Sequence, residues 1–161
     1  MKFSFRCTSQ LNAPVQQVWE WVSTMQGVND ELRPLVRMTY PQTVNQIGDV
    51  PLGKPAFRSV ILLLGIIPFD VHDLTLLKFE PGQGFYEHSS SLMQRDWIHE
   101  RRLQPHESGC IVSDHVQFLP RLPFLGYVML PVFQWVFRNR HRNLRLRFGG
   151  QAVTEKNRTN V

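Results

Sequence analysis

"LPFLGYVMLPVFQWVFRNRHRNLRLRF" spans Leu122 to Phe148, and its reading decides the fold. Sixteen residues without a charge lie between Arg121 and Arg138; then come Arg138, Arg140, His141, Arg142, Arg145 and Arg147. A segment that begins greasy and ends basic can anchor in a bilayer, bind nucleic acid or wall a pocket. A spanning helix needs about twenty predominantly apolar residues. This run is shorter and contains Pro123, Gly126 and Pro131. Projected at about 100° per residue, Phe133, Phe137, Leu144 and Phe148 form one stripe, and Arg138, Arg142 and Arg145 fall opposite. The spacing predicts a helix that includes Val132 to Leu146, with an apolar face toward a core and a basic face toward water or anions. Pro131 either kinks this helix or starts its second half. Arginine in the last turns also complements the negative end of the helix dipole.

The charge around that helix is uneven. The chain of 161 residues carries a formal net charge of +5. From Arg138 onward there are seven basic residues against Glu155 alone, a net of +6, which leaves −1 for the rest. The basicity belongs to the C-terminal segment and not to a nucleic-acid-binding body. No base-stacking aromatics interleave the arginines, so nucleic acid is not an expected partner. An anionic membrane surface, met weakly by Arg138, Arg142 and Arg145, is.

Upstream of the helix the apolar pattern has a period of two. "KFSFRCTSQL" (2–11) puts Phe3, Phe5, Cys7 and Ser9 on one face, which predicts a half-buried strand. "NAPVQQVWEWVSTM" (12–25) places Val15, Val18, Trp19 and Val22 at helical spacing, with Asn12 as N-cap, Pro14 near the first turn and Gly27 as the stop. "VNDELRPL" (28–35) predicts a second short helix, stopped near Pro34. A loop rich in Pro and Gly follows. From Arg58 come five strands, "RSVILLL", "FDVHDLTLLKF", "GFYEHSSSL", "DWIHERRL" and "CIVSDHVQFL", separated by turns short enough for antiparallel hairpins. The result is an α+β plan in one domain over residues 1–150, with 151–161 a polar, flexible tail.

Two of these strands carry charges on their apolar face. Trp97, His99, Arg101 and Leu103 share one face of their strand; Val112, Asp114, Val116 and Phe118 share one face of the next. The more apolar set turns inward, so His99, Arg101 and Asp114 go in with it. A four-residue "PHES" turn pairs Asp114 with His99; a shift of two pairs it with Arg101. Either way a carboxylate meets a cation inside. Such a group is a buried pair that fixes register, a polar anchor for a ligand, or an acid–base pair in which His99 and Asp114 do chemistry.

Other polar clusters point elsewhere. Asp70, His72 and Asp73 make a poor metal site, because alternation turns His72 away from its neighbours, and a surface strand edge fits them better. Cys7 and Cys110 are packing residues without zinc-ligand spacing. "GKPAF" lacks the glycine-rich lead of a phosphate loop. Trp19 and Trp21 read as core and rim. No metal or cofactor is expected, and no signal peptide opens the chain, so the expected location is cytoplasmic.

Three segments together resemble the START/SRPBCC superfamily, the helix-grip fold shared by birch-pollen allergens, lipid-transfer domains and polyketide cyclases. "SQLNAPVQQVWEWVS" is similar to its first strand and helix, with the recurrent A-P-x-x-x-V-W. "DWIHERRLQPHESGCIVSDHVQFLP" resembles its late hairpin. "VFRNRHRNLRLRF" resembles its closing helix, with F-x-x-R-H-x-x-L. The version here looks closest to uncharacterised bacterial members. The resemblance covers about residues 3–148 and implies a curved antiparallel sheet wrapped around the C-terminal helix, with two short helices after the first strand and an apolar cavity between. It implies binding or transport of a hydrophobic small molecule, such as a lipid, isoprenoid or polyketide-like compound. The expected lining is Trp97, His99, Arg101, Asp114, Val116, Phe118, Phe133 and Phe137. A cyclase-, aromatase- or hydrolase-like enzyme and a membrane-peripheral interaction module are the alternatives; a carrier without catalysis is the leading reading.

Overall fold

Alternation from Phe3 produces strand β1 (Phe3–Leu11), which buries Phe3, Phe5, Ser9 and Leu11 and turns Ser4 and Arg6 outward. The computed structural model describes residues 1–107 and 109–153. After β1 come α1 (Val15–Val22), α2 (Met25–Leu32) and the short strand β2 (Val36–Met38). Five long strands follow: β3 (Pro55–Leu63), β4 (Ile67–Glu80), β5 (Gly84–Ser91), β6 (Gln94–His106) and β7 (Gly109–Pro120). Helix α3 (Leu125–Phe148) and a short β8 (Gly150–Ala152) complete the described chain. The strands form one eight-stranded sheet in the order β2-β3-β4-β5-β6-β7-β1-β8. Every pairing is antiparallel. This is the α+β helix-grip architecture, a curved sheet around a long C-terminal helix.

Helix α3 lies against β1 through close contacts that its sequence permits. A Cβ on Gly126 would come within 2.0 Å of the Phe3 ring, so only glycine lets the helix approach there. Phe5 meets Phe137 edge-on at 5.3 Å. The helix ends at Gly149, whose φ of +72° suits glycine and turns the chain into β8 beside β1. Pro131 sits inside the helix. The apolar half is not wholly covered: Tyr127, Val128 and Trp135 are exposed, while Met129, Val136 and Phe137 are buried. Among the described residues, no helix is long and apolar enough to cross a membrane.

Several local expectations are corrected. Asn12 does not cap α1; Pro14 holds that position in extended conformation without a side-chain cap bond. Gly27 does not end α1, which stops at Val22. It lies inside α2, where a Cβ would sit 2.1 Å from the Trp21 carbonyl oxygen, and Thr24 caps that helix by accepting from Gly27 N at 2.9 Å. Gln151 and Ala152 of the expected tail are not loose, because they pair with Gln10 and Ser9 of β1; residues 154–161 of that tail lie outside the described residues. Strands β2 and β8 were not foreseen, since three residues carry too little alternation to signal. Arg138 and Arg142 face solvent as expected, but Arg145 is half-buried and donates to Ser9 Oγ at 2.7 Å. The segment around Asp70 is no sheet edge, because β4 lies between β3 and β5.

Trp19 packs into the core with Val18, Val22 and Leu144, and Trp21 lies at the rim under the Arg147 guanidinium, 3.5 Å from its ring centre.

Candidate functional site

The β6–β7 hairpin selects one of the two expected registers. Its pairing continues through Pro105 to His106↔Gly109, which sets Arg101 opposite Asp114 and His99 opposite Val116. A shift of two preserves which face is inward, so Trp97, His99 and Arg101 still point with Val116 and Phe118. Asp114 reaches both cations. Its Oδ1 lies 2.9 Å from His99 Nε2 and 2.8 Å from Arg101 Nε, and its Oδ2 lies 2.7 Å from Arg101 Nη2.

Two helices complete this group. From α2, Glu31 takes Arg101 in a bidentate pair, Oε1 with Nη1 and Oε2 with Nη2, both at 2.8 Å. From α3, Arg140 donates to Glu31 Oε2 through Nε at 3.2 Å and Nη2 at 3.0 Å, and His141 Nε2 lies 3.0 Å from Asp114 Oδ2. Burial opposes the ionised Asp114, but the adjacent Arg101 guanidinium, with His99 and His141, outweighs it and holds the carboxyl well below its usual range. Burial likewise opposes the charged Arg101, and Asp114 with Glu31 more than restores it. An ionised carboxylate only accepts, so both histidine Nε2 atoms donate to Asp114. All three Arg101 guanidinium nitrogens donate to carboxylates, and the residue is 0% exposed.

A second polar cluster joins the first through His99. Its Nδ1 lies 3.7 Å from Glu87 Oε2. Glu87 Oε1 accepts from His72 Nε2 at 2.6 Å and from Ser89 Oγ at 2.6 Å. Burial opposes ionisation of Glu87, yet the hydrogen bond from His72 and the nearby His72 and His99 charges keep it far below the ordinary carboxylate range. Burial also opposes a charged His72; the bond and charge of Glu87, with smaller help from Asp70 and Asp73, raise its pKa nonetheless. The surface-edge expectation for Asp70, His72 and Asp73 thus fails at His72, because the buried Glu87 of β5 satisfies it. The three side chains serve different partners: Asp73 takes Arg58 at 2.8 Å, and Asp70 accepts from the Val71 and Met93 backbone N–H groups.

These clusters stand between two cavities. The larger, about 130 Å³, has an apolar cage in which Trp97, Phe133 and Phe137 are its aromatic walls beside Leu63 and Val136. The smaller, about 60 Å³, is lined by Met25, Val28, Phe57, Leu76 and Phe85 among others. Glu87, His99, Arg140 and Met38 line both. Trp97 meets Phe133 edge-on at 5.1 Å, and His99 meets Phe137 the same way at 5.1 Å. Of the expected lining, Trp97, His99, Phe133 and Phe137 are in the wall of the larger cavity. Arg101, Asp114, Val116 and Phe118 line neither cavity and are packed behind it.

Glu31, His72, Glu87, Arg140 and His141 are the residues that the strand reading did not assign. Each has a signal. Glu31 is one helical step from Val28. Glu87 alternates with Phe85, and His72 with Leu74 and Leu76. Arg140 and His141 follow Phe137 by three and four residues and so share its face.

Comparison with known proteins agrees with this geometry. Protein CV1439 from Chromobacterium violaceum superposes with a TM-score of 0.66 at 15% identity, covering 92% of this chain and 99% of its own. The ZhuI aromatase/cyclase from Streptomyces sp. R1128 gives 0.62 at 13% identity, covering 89% and 92%. Ara h 8.0201 gives 0.57 at 12% identity, covering 89% and 98%. At these identities the likeness is one of fold. No curated protein matches the chain in sequence. A family model described as "Domain of unknown function (DUF8410)" matches residues 9–148. With its sheet and its gripped helix in the helix-grip arrangement that these structures share, the chain belongs to the DUF8410 family.

Proposed function

We propose that the protein binds a hydrophobic small molecule in the larger cavity, as a carrier or receptor. The observation that carries this is a space of about 130 Å³ between sheet and α3 that the chain's own aromatic residues line but do not fill. That is the size range that admits a benzene-sized ring. Affinity comes from removing apolar surface from water, worth about 25 cal/mol per Å². Trp97, Phe133 and Phe137 supply the apolar contact. His99 and Arg140 orient the ligand: Arg140 Nη1 makes no hydrogen bond with the described residues, and Arg140 is in the wall. Arg101 and Asp114 hold His99 and Glu31 in place from behind. A ligand carboxylate paired directly with Arg101 is disfavoured, because its guanidinium is already enclosed by Asp114 and Glu31.

Acid–base catalysis by His99 is the second reading, favoured by its 2.9 Å contact with Asp114 at the cavity wall. Nε2 is committed to Asp114, so Nδ1 is the atom left for a substrate, and it faces Glu87. This geometry suits an orienting group more than a free base. Arg138 and Arg142, exposed on the outer face of α3, offer the weak anionic-membrane contact through which a carrier unloads.

The reading is tested by titrating a fluorescent apolar dye against the wild type and Phe133→Arg, with circular dichroism as the folding control. The variant places a charge in the aromatic wall, so affinity falls about tenfold or more. Unchanged dye affinity in a folded variant contradicts a ligand in this cavity.

A further inference from the structure

The end of the larger cavity at the β5–β6 turn holds a polar pair that nothing in the protein satisfies. Ser91 closes β5, Gln94 opens β6, and both line the cavity. Gln94 is only 2% exposed, and its Oε1 is buried without a hydrogen-bond partner. Its Nε2 donates to the Met129 sulfur at 2.9 Å. A thioether accepts and never donates, so the amide presents its NH₂ group to Met129 and leaves its oxygen without a partner. Ser91 Oγ accepts from the Met93 and Gln94 backbone N–H groups, at 3.2 and 2.9 Å, and donates to no described residue. The two residues that border the cavity at this turn therefore hold an unpaired acceptor and a spare O–H donor three residues apart.

Buried polar groups are nearly always paired, and an unpaired acceptor on a residue of the cavity wall calls for a donor from outside the chain. The other buried side-chain oxygen without a partner among the described residues, Ser59 Oγ, lines neither cavity, so Gln94 stands apart. A hydroxyl matches both atoms at once, since it donates one hydrogen and accepts with its lone pairs. An ether or ketone accepts from Ser91 but leaves Gln94 bare. A hydrocarbon leaves both bare.

We infer that Ser91 and Gln94 form a hydroxyl-binding subsite, and that the cavity takes a neutral ligand with an apolar ring or chain ending in an alcohol or phenol. This rests on the proposed cavity binding and adds the chemistry of the ligand's polar end. Trp97, Phe133 and Phe137 hold the apolar body, and the turn between β5 and β6 reads its hydroxyl. The competing occupant is an ordered water bonded to Gln94 Oε1.

Calorimetric titration of the full chain with 4-propylphenol, 4-propylanisole and propylbenzene separates these outcomes. Partition alone favours propylbenzene, because removing a hydroxyl from water carries a cost. The subsite reverses that order: the phenol binds about tenfold tighter than either the anisole or the hydrocarbon, the scale of one well-made buried hydrogen bond. Gln94→Leu abolishes the preference by weakening the phenol relative to propylbenzene, and circular dichroism shows that the variant is folded. Should Gln94→Leu fail to fold, Gln94→Met keeps the unbranched shape and serves the same comparison. Equal binding of all three ligands to the wild type overturns the subsite and leaves the cavity reading intact. Binding of none of them overturns both.

Discussion

Glu31, on the second short helix, and Arg101, in the middle of the sheet, meet in a two-pronged ion pair with both N–O distances at 2.8 Å. The pair ties α2 to β6 across seventy positions of sequence. Arg140 from α3 shares the Glu31 carboxylate, and Asp114 from β7 takes the other side of Arg101. The Arg101 guanidinium of β6, closed to water, thus holds α2 and β7 directly and α3 through Glu31, which gives the sheet, the short helix and the long helix a common fixed point.

Removing one member of such a group leaves a buried charge only partly compensated. Asp114→Ala is expected to lower unfolding free energy by about 3–5 kcal/mol, read by urea denaturation. The loss appears in stability first, because Asp114 lies behind the cavity wall. A folded variant of unchanged stability contradicts a structural role for the group.

The paired carboxylates and His72 set opposite limits on pH. Glu87 and Asp114 bind protons less readily when folded, so their contribution is present above their ordinary values of 4.5 and 3.8 and is lost as pH falls through the depressed folded values. His72 has a raised folded value, so its contribution is full below its ordinary 6.5 and is lost as pH rises through that raised value. Glu87→Gln removes the chief support of His72 and one of the two depressed carboxylates. Denaturant melts across pH 2–9 should show a shallower loss on both sides than in the wild type. Superimposable pH profiles contradict the assigned pairing.

The outer face of α3 carries a separate expectation. Wild-type protein should co-sediment with anionic but not neutral vesicles at low salt, and Arg138→Gln with Arg142→Gln should release it, since a basic residue near an anionic surface contributes about 1 kcal/mol. Arg145 is excluded from that pair because it is held by Ser9. Failure of the wild type to pellet, or equal pelleting of the double variant, leaves these arginines as a solvated face only.

How far the sequence reached follows from how many residues carry each signal. Long alternating strands and the stripe from Phe133 to Phe148 are repeated patterns, so β1, β3 to β7 and α3 were legible. So were the inward turn of His99, Arg101 and Asp114, because Trp97, Val116 and Phe118 fixed the phase. The hairpin register was not, since both alternatives keep the same faces inward; only the pairing of Pro105 with Cys110 chose between them. Glu31 and Glu87 go unassigned, and His72 is placed at a surface edge, for a different reason. A polar residue at an inward position looks misplaced until its partner is known, and these partners lie on other elements. Arg140 and His141 were hidden in a basic run whose outer members, Arg138 and Arg142, do face solvent.

Ligand entry into the cavity is most directly read at Trp97. Its indole is in the wall of the larger cavity, whereas Trp135 is exposed on α3 and lines neither cavity. Indole N–H resonances assigned by substitution and followed by NMR during a propylbenzene titration separate the two. The account predicts a saturable shift at Trp97 with Trp135 unmoved. A Trp97 signal that stays fixed while the ligand is in excess, or shifts that grow without saturation at both tryptophans, contradicts a binding cavity between the sheet and the helix.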